Sequence, residues 1–313
     1  MRLVVVDLDG AILTQPFIAS LIEAGEVSIV PAVDLAPHLR LIADRAALEE
    51  LQARITGALG RVPSDLEMVF YGSGDFHHLT VRLLERHHEP VTVVHIDNHP
   101  DWVMFPRTLN CGSWVTHALA LRCVAQIITV GPSGKDLEWP EFKFGNLKAV
   151  VDGKLKVFPW RKTESTVMRK YGDTACWRQR GSRLEWVHLS DRLWTEAAAE
   201  LVSTLPTSRV YLTIDKDAIR HAEAATNWDQ GLMTVEQIEV LIAALARDRQ
   251  IVGVDVCGDY SAPRVRGLLR RIVSFTDRDS VAVKPEALSI NSDTNARLLS
   301  AISALASRVV PDV

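Results

Sequence analysis

The chain has 313 residues, 47% of them apolar and 24% charged, with 35 Lys and Arg against 39 Asp and Glu for a formal net charge of −4. That is ordinary globular composition, enough for one large α/β domain or two smaller ones, and the slightly acidic balance argues against a nucleic-acid surface, which needs concentrated basic charge. Cys111, Cys123, Cys176 and Cys257 lack CxxC spacing, no apolar stretch is long enough to span a bilayer and no basic region precedes the apolar start, so the expectation is a cytoplasmic protein with reduced thiols.

In chain order, the first apolar run is Leu3–Val6, followed by Asp7-Leu8-Asp9-Gly10-Ala11. This stretch resembles the first motif of haloacid-dehalogenase-type phosphatases, but Ala11 stands where that pattern needs Thr. No later acidic pair follows a suitable lysine, and Asp-Gly after a strand is common punctuation in α/β folds. The next run, Met68–Tyr71, leads into the glycine-rich turn Gly72-Ser73-Gly74, which delivers Asp75, His77 and His78 to the start of a helix. His87-His88, ahead of Pro90, reads as the solvated end of that helix.

Val91–Ile96 reads as a buried strand, and Asp97-Asn98-His99-Pro100-Asp101 lies at its C-terminal end, where open α/β sheets place their ligand sites. Ala125–Val130 follows. The segment from about 140 to 193 differs in character. It carries turn residues, short β-like runs at Lys148–Val151 and Lys154–Phe158, and Trp160, Trp177 and Trp186. It reads as an insertion, suited either to substrate selection or to plain packing. Val210–Ile214 then ends in Asp215-Lys216-Asp217, and Ile251–Val256 is the last run; Arg264, Arg266, Arg270 and Arg271 read as a solvated helix face. Apolar runs alternating with helical segments predict a mostly parallel sheet wrapped by helices, with no internal repeat.

Three strand ends therefore bring His, Asp and Asp-x-Asp groups together. In extended backbone Asp97 and His99 share a face, as do Asp215 and Asp217, with Lys216 pointing away. Gathered carboxylates repel one another and take up protons unless a divalent cation compensates them.

The ordered set Gly-Ser-Gly-Asp-Phe-His-His, Asp97-Asn98-His99-Pro100-Asp101 and Asp215-Lys216-Asp217 resembles the arginase or ureohydrolase superfamily, whose pattern is Gly-Gly-Asp-His, Asp-Ala-His-x-Asp and Asp-x-Asp. The resemblance implies a single three-layer α/β domain over residues 1–313, with a mostly parallel central sheet flanked by helices. It implies two Mn²⁺ ions sharing a bridging water or hydroxide, with Asp97 and Asp215 between them, His77 and Asp101 completing one site, and His99 and Asp217 the other. Phe76 is extra in the first motif. His77 is preferred as ligand because His77-His78-Leu79 overlays the family's His-Ser-Leu, with His78 as the alternative.

The chain also departs from arginases. Val254-Asp255-Val256-Cys257-Gly258-Asp259-Tyr260 falls where they carry Asp-x-x-Glu-x-Asn, so Gly258 stands in place of the glutamate that holds the guanidinium. Asp259 and Asp229 are the candidate replacements, and each also fits a turn or cap role. Leu109-Asn110-Cys111-Gly112-Ser113 resembles the family's Asn-Leu-His-Gly stretch without the histidine, which leaves Cys111 or a nearby His as the candidate to face the site and the proton donor unassigned. These variants resemble a divergent branch that includes peptide arginases, which convert arginine to ornithine within ribosomal precursor peptides and release urea. The expected partner is thus an arginine-containing precursor peptide, with no nucleic acid or membrane, and a homo-oligomer is compatible with the reading. The alternatives are hydrolysis of another guanidino or acylated amine compound, as in one-metal deacetylase relatives, and a catalytically silent peptide-binding relative.

Overall fold

The computed structural model describes residues 1–63, 66–262 and 286–306; the Arg264–Arg271 basic stretch lies outside them. Eight strands form the central sheet: β1 (Arg2–Asp7), β2 (Val27–Pro31), β3 (Glu67–Phe70), β4 (Val91–Ile96), β5 (Val124–Val130), β6 (Leu155–Phe158), β10 (Arg209–Asp215) and β11 (Gln250–Cys257). Their order is β2-β1-β3-β11-β10-β4-β5-β6, and every pairing is parallel. Parallel strands require crossovers, and the helices that supply them cover the sheet, so the central strands are buried on both faces. β4 is buried at all six positions and β3 at all four.

The flanking helices carry the apolar stripe that this layering needs. The helix Val235–Asp248 buries Val235, Ile238, Leu241, Ile242 and Leu245, and starts with a capping box between Thr234 and Gln237. The helix Arg45–Leu59 buries Leu48, Leu51, Ile55 and Leu59 at similar spacing.

Of the eight strands, β2 is not among the runs read as extended from sequence, whereas β6 is the β-like run Lys154–Phe158. β2 is an edge strand and largely exposed, with Val30 its one buried position. β6 lies inside the 140–193 segment, yet it pairs with β5 and closes the far edge of the main sheet. What stands apart from the sheet is the small antiparallel unit β7 (Glu164–Thr166), β8 (Trp177–Arg180) and β9 (Arg183–Trp186), in the order β7-β9-β8. Trp160, Trp177 and Trp186 are all buried there, with Trp177 and Trp186 edge to face at 4.9 Å, so they pack rather than present a surface. Lys148–Val151, expected as β-like, is helical over Leu147–Val151 because the Asn146 side chain caps it by accepting from the Ala149 N–H. His87 is buried, contrary to its expected solvation, and stacks edge to face on Tyr211 at 5.4 Å; only His88 is exposed.

The sheet order separates β3 from β4 by β11 and β10. That leaves the C-terminal ends of four adjacent central strands facing one crevice, the arrangement that open α/β sheets use for ligands.

Candidate metal centre and cavity

Each functional side chain is delivered by a strand end. After β3, Tyr71–Ser73 turn the chain into a short 3₁₀ segment, Gly74–Leu79, with Ser73 accepting from the Asp75 N–H. A side chain at Gly74 would come within 2.5 Å of Asp215 Oδ2, so the glycine is needed for this close approach. Phe76 goes into the core and His77 turns toward β4 and β10. Asp97 follows β4, and its Oδ1 accepts from the His99 N–H at 2.6 Å. Asp101 has φ of +47°, a left-handed conformation uncommon outside glycine, and its carboxylate accepts from the Trp114 indole at 2.7 Å. Asp215 ends β10 and accepts from the Asp217 N–H at 3.0 Å, while Asp217 Oδ1 accepts from the Asn98 N–H at 3.0 Å.

His77 shows what this cluster is built for. Thr213 Oγ1 donates to Asp255, so it accepts from His77 Nε2–H at 2.9 Å. The ring is thereby fixed with its Nδ1 aimed inward. Nδ1 has no hydrogen-bond partner, and it lies 2.9 Å from Asp97 Oδ2, 3.4 Å from Asp101 Oδ2 and 3.6 Å from Asp215 Oδ2. Three buried carboxylates around one ring nitrogen demand positive charge at that point, carried by a proton on Nδ1 or by a metal cation that Nδ1 ligates. Burial alone would push the His77 imidazolium pKa down, but Asp101 and Asp97 overcome it and hold the group well above its ordinary value. His99 repeats the pattern: Nδ1–H donates to Asp136 at 2.6 Å, leaving Nε2 3.5 Å from Asp217 and 3.1 Å from Asp229. Such outer partners fix the tautomer of metal-ligating histidines.

The carboxylates are equally out of balance. Burial, and then repulsion from Asp97, lifts Asp101 to about 6 and raises Asp215; burial with Asp215 and Asp97 raises Asp217 well above the carboxylate range. Asp97 is held down against its burial by His95 and His77. The donor set is oxygen-rich with imidazole, buried and short of positive charge, which fits divalent cations. Asp97, Asp215 and Asp217 converge in one group, His77, His95, Asp97 and Asp101 in a second, and His77, Asp215 and Cys257 in a third, so Asp97 and Asp215 each belong to two. His77, rather than His78, enters these groups.

These residues form the base of a cavity of about 860 Å³, whose lining includes Asp97, His99, Asp101, Asp215 and Asp217, together with Cys111, Asp136, Trp228 and Asp229. Asp229 opens onto the cavity 3.1 Å from His99 Nε2, accepts from the Asn98 side-chain amide, and has its carboxylate held below the usual range by the neighbouring His99 ring. Cys111 is also on the wall, its thiol pushed well up by burial and by Asp101 and Asp75. Asp259 is elsewhere. It is buried at 1% exposure in an ion pair with Lys216 Nζ at 2.5 Å, with Gln15 and Asn295 bonded to the same oxygen, and does not line the cavity. The side chain of Lys216 points away from Asp215 and Asp217, as strand alternation requires, and its buried ammonium claims Asp259. Asp9, the second acid of the phosphatase-like stretch, is likewise taken by Arg40, which bridges it to Asp75.

Three contributors were not singled out from sequence. His95 Nε2 donates to Asp97 Oδ2 at 2.8 Å, and its i−2 spacing from Asp97 on β4 was the available signal. Cys257 Sγ donates to Asp215 Oδ2 at 3.2 Å from the end of β11. Asp136, on the loop after β5, carries no local pattern and is placed only by the fold.

A family model described as the arginase family matches residues 19–258. An uncharacterized protein of Thermotoga maritima is 24% identical over 198 residues, which covers 63% of this chain and 60% of that relative's length. Among solved structures, arginase from Bacillus subtilis has a TM-score of 0.57 at 13% identity, covering 96% of this chain and 98% of that one. Proclavaminate amidino hydrolase from Streptomyces clavuligerus has 0.54 at 17%, covering 96% and 91%. The agmatine ureohydrolase of Thermoplasma volcanium has 0.54 at 12%, covering 99% and 92%. At these identities the structural likeness is one of fold.

Proposed function

The chain belongs to the arginase family, whose members are metal-dependent amidinohydrolases acting on C–N bonds, and from that premise we propose that it is a dinuclear manganese enzyme converting peptidyl arginine to ornithine with release of urea. The observation that carries the hydrolase reading is the Nδ1 of His77 turned toward Asp97, Asp101 and Asp215, buried carboxylates that line the 860 Å³ cavity. His77 and Asp101 would complete one metal site, His99 and Asp217 the other, with Asp97 and Asp215 shared. Two divalent cations held there supply a nucleophile from water at neutral pH and stabilise developing negative charge.

The other residues govern the substrate. Asp136 and Asp229 flank His99 on the cavity wall, and two carboxylates beyond the ligand set favour a cationic group such as guanidinium. An alkyl amine cannot leave as its anion, so the proton released by the attacking water must be handed on. Asp229, open to the cavity and 3.1 Å from His99 Nε2, is placed to carry it. Cys111, kept protonated by its raised pKa, is not the group that exchanges this proton. The cavity volume lies near the upper end of the range of small-ligand sites, ~300–1,000 Å³, which suits a side chain attached to a peptide better than a free amino acid gripped at both ends.

The test is incubation of the manganese-loaded protein with terminally blocked arginine peptides, read by urea release and by the mass change from arginine to ornithine. Turnover of blocked peptides above free arginine and agmatine is expected. Faster turnover of the free compounds would overturn the peptidyl reading, and a protein holding one zinc ion and no second metal would overturn the dinuclear one.

A further inference from the structure

The two loops that wall one side of the cavity carry an unusual surface. Trp102, Val103 and Lys143 line the cavity, and beside them in the chain stand Met104, Phe105, Trp139, Phe142 and Phe144, each between 46% and 62% exposed. Among the described residues these include every Phe or Trp side chain that is largely exposed. The two loops are tied together by backbone: the Met104 N–H donates to the Phe144 carbonyl at 2.9 Å, the Asn146 N–H to the Trp102 carbonyl at 3.2 Å, and Val103 and Gly145 form an antiparallel bridge. Trp102 packs against Gly145, where a Cβ would come within 2.9 Å of its ring. Phe105 and Phe144 are thereby set side by side with ring centres 5.4 Å apart, and Trp139 and Phe142 at 6.0 Å. The aromatic face is thus held by backbone in one geometry.

Contiguous exposed aromatics of this kind mark a binding surface rather than chance exposure. We propose that this face is a docking site for apolar or aromatic residues flanking the arginine of a peptide substrate. The inference rests on the peptidyl reading above and names the sequence context which that reading leaves open. Continuity decides the occupant. Trp102, Val103 and Lys143 belong to the cavity wall, so a chain whose cationic side chain enters among Asp136 and Asp229 has a continuous path onto the adjoining aromatics. Free arginine and agmatine end inside the cavity and do not reach them. A second copy of the chain is the competing occupant.

Dye-labelled, terminally blocked heptapeptides test this by fluorescence anisotropy, with arginine or norleucine at the centre and Phe or Ser on both sides, on wild type and on the double variant Phe105→Ser, Phe144→Ser. The Phe-flanked peptides should bind wild type about tenfold more tightly than the Ser-flanked ones, equivalent to about 1.4 kcal/mol, and the double variant should lose that preference. Turnover of small guanidino compounds should be the same in both proteins. Equal affinity for the two flanks, or a preference that survives the double variant, overturns the proposal. So does a change from dimer to monomer in sedimentation on making the variant, which would assign the face to self-association. The norleucine peptides separate the two readings: flank-dependent binding without hydrolysis of any arginine peptide sinks the peptidyl arginase reading and leaves the docking site standing.

Discussion

Replacing Gly258 by alanine should damage the metal centre from behind. Gly258 has φ of +91°, and a Cβ there would lie 2.5 Å from the Lys216 backbone nitrogen and closer still to Asp215 Oδ1. Neither neighbour is a free side-chain end. The nitrogen is backbone between two ligand positions, and the carboxylate is buried and bonded to the Asp217 N–H and to Cys257. The left-handed backbone costs a non-glycine residue about 1–2 kcal/mol and the forced displacement about 1–3 more, so the expected loss is roughly 2–5 kcal/mol. Gly153 supplies the control, because it has φ of +72° with nothing within 4 Å of its Cβ. Urea unfolding followed by tryptophan fluorescence should therefore show Gly153→Ala losing only the backbone part. Gly258→Ala should lose more, and elemental analysis should find it short of manganese. Equal destabilisation by the two, or a full complement of metal in Gly258→Ala, would refute the account.

Asp97→Ala and Asp215→Ala, each removing a carboxylate common to two groups of ligands, should abolish both metal occupancy and urea release; retention of two ions would contradict the shared-ligand assignment. His95→Gln breaks the contact that orients Asp97, and should weaken manganese binding about 10–100-fold in titration calorimetry, whereas an unchanged affinity would reduce His95 to packing. Asp229→Ala and Asp136→Ala should each lower kcat/KM on arginine peptides by roughly one to two decades, from loss of charge-assisted hydrogen bonds; full turnover in both would show that neither faces the guanidinium. Burial, with Arg86 and Arg209 nearby, pushes His87 down to about 4. The unfolded chain therefore binds the extra proton between about pH 6.5 and 4, so stability falls as pH drops through that window, by about 2 kcal/mol after allowance for partial exposure. His87→Gln should flatten this part of the pH–stability curve; an unchanged slope would place the effect elsewhere.

The sequence by itself determined the parallel α/β frame and the residues gathered at its strand ends. Apolar runs long enough to be buried on both faces announce β4 and β10, and period-two alternation puts Asp97 with His99 and Asp215 with Asp217 on common faces. Alternation also sends Lys216 to the opposite side. What it cannot show is which acid waits there. Only the fold brings Asp259 onto that ammonium, 43 residues away in sequence, and so removes it from the cavity. The choice between His77 and His78 was likewise tertiary, since a 3₁₀ segment has no alternation to read, and Thr213 on β10 fixes the ring. β2 escaped because a short, largely exposed edge strand needs little apolar periodicity, and β6, legible as a β-like run, showed its place in the main sheet only through its pairing with β5. Leu147–Val151 escaped because one capping side chain outweighed β-branched propensity. Asp136 is placed by the loop after β5, and the aromatic face by two loops bridged through backbone. Loop residues carry no periodic signal, so tertiary contact alone brings them to the site.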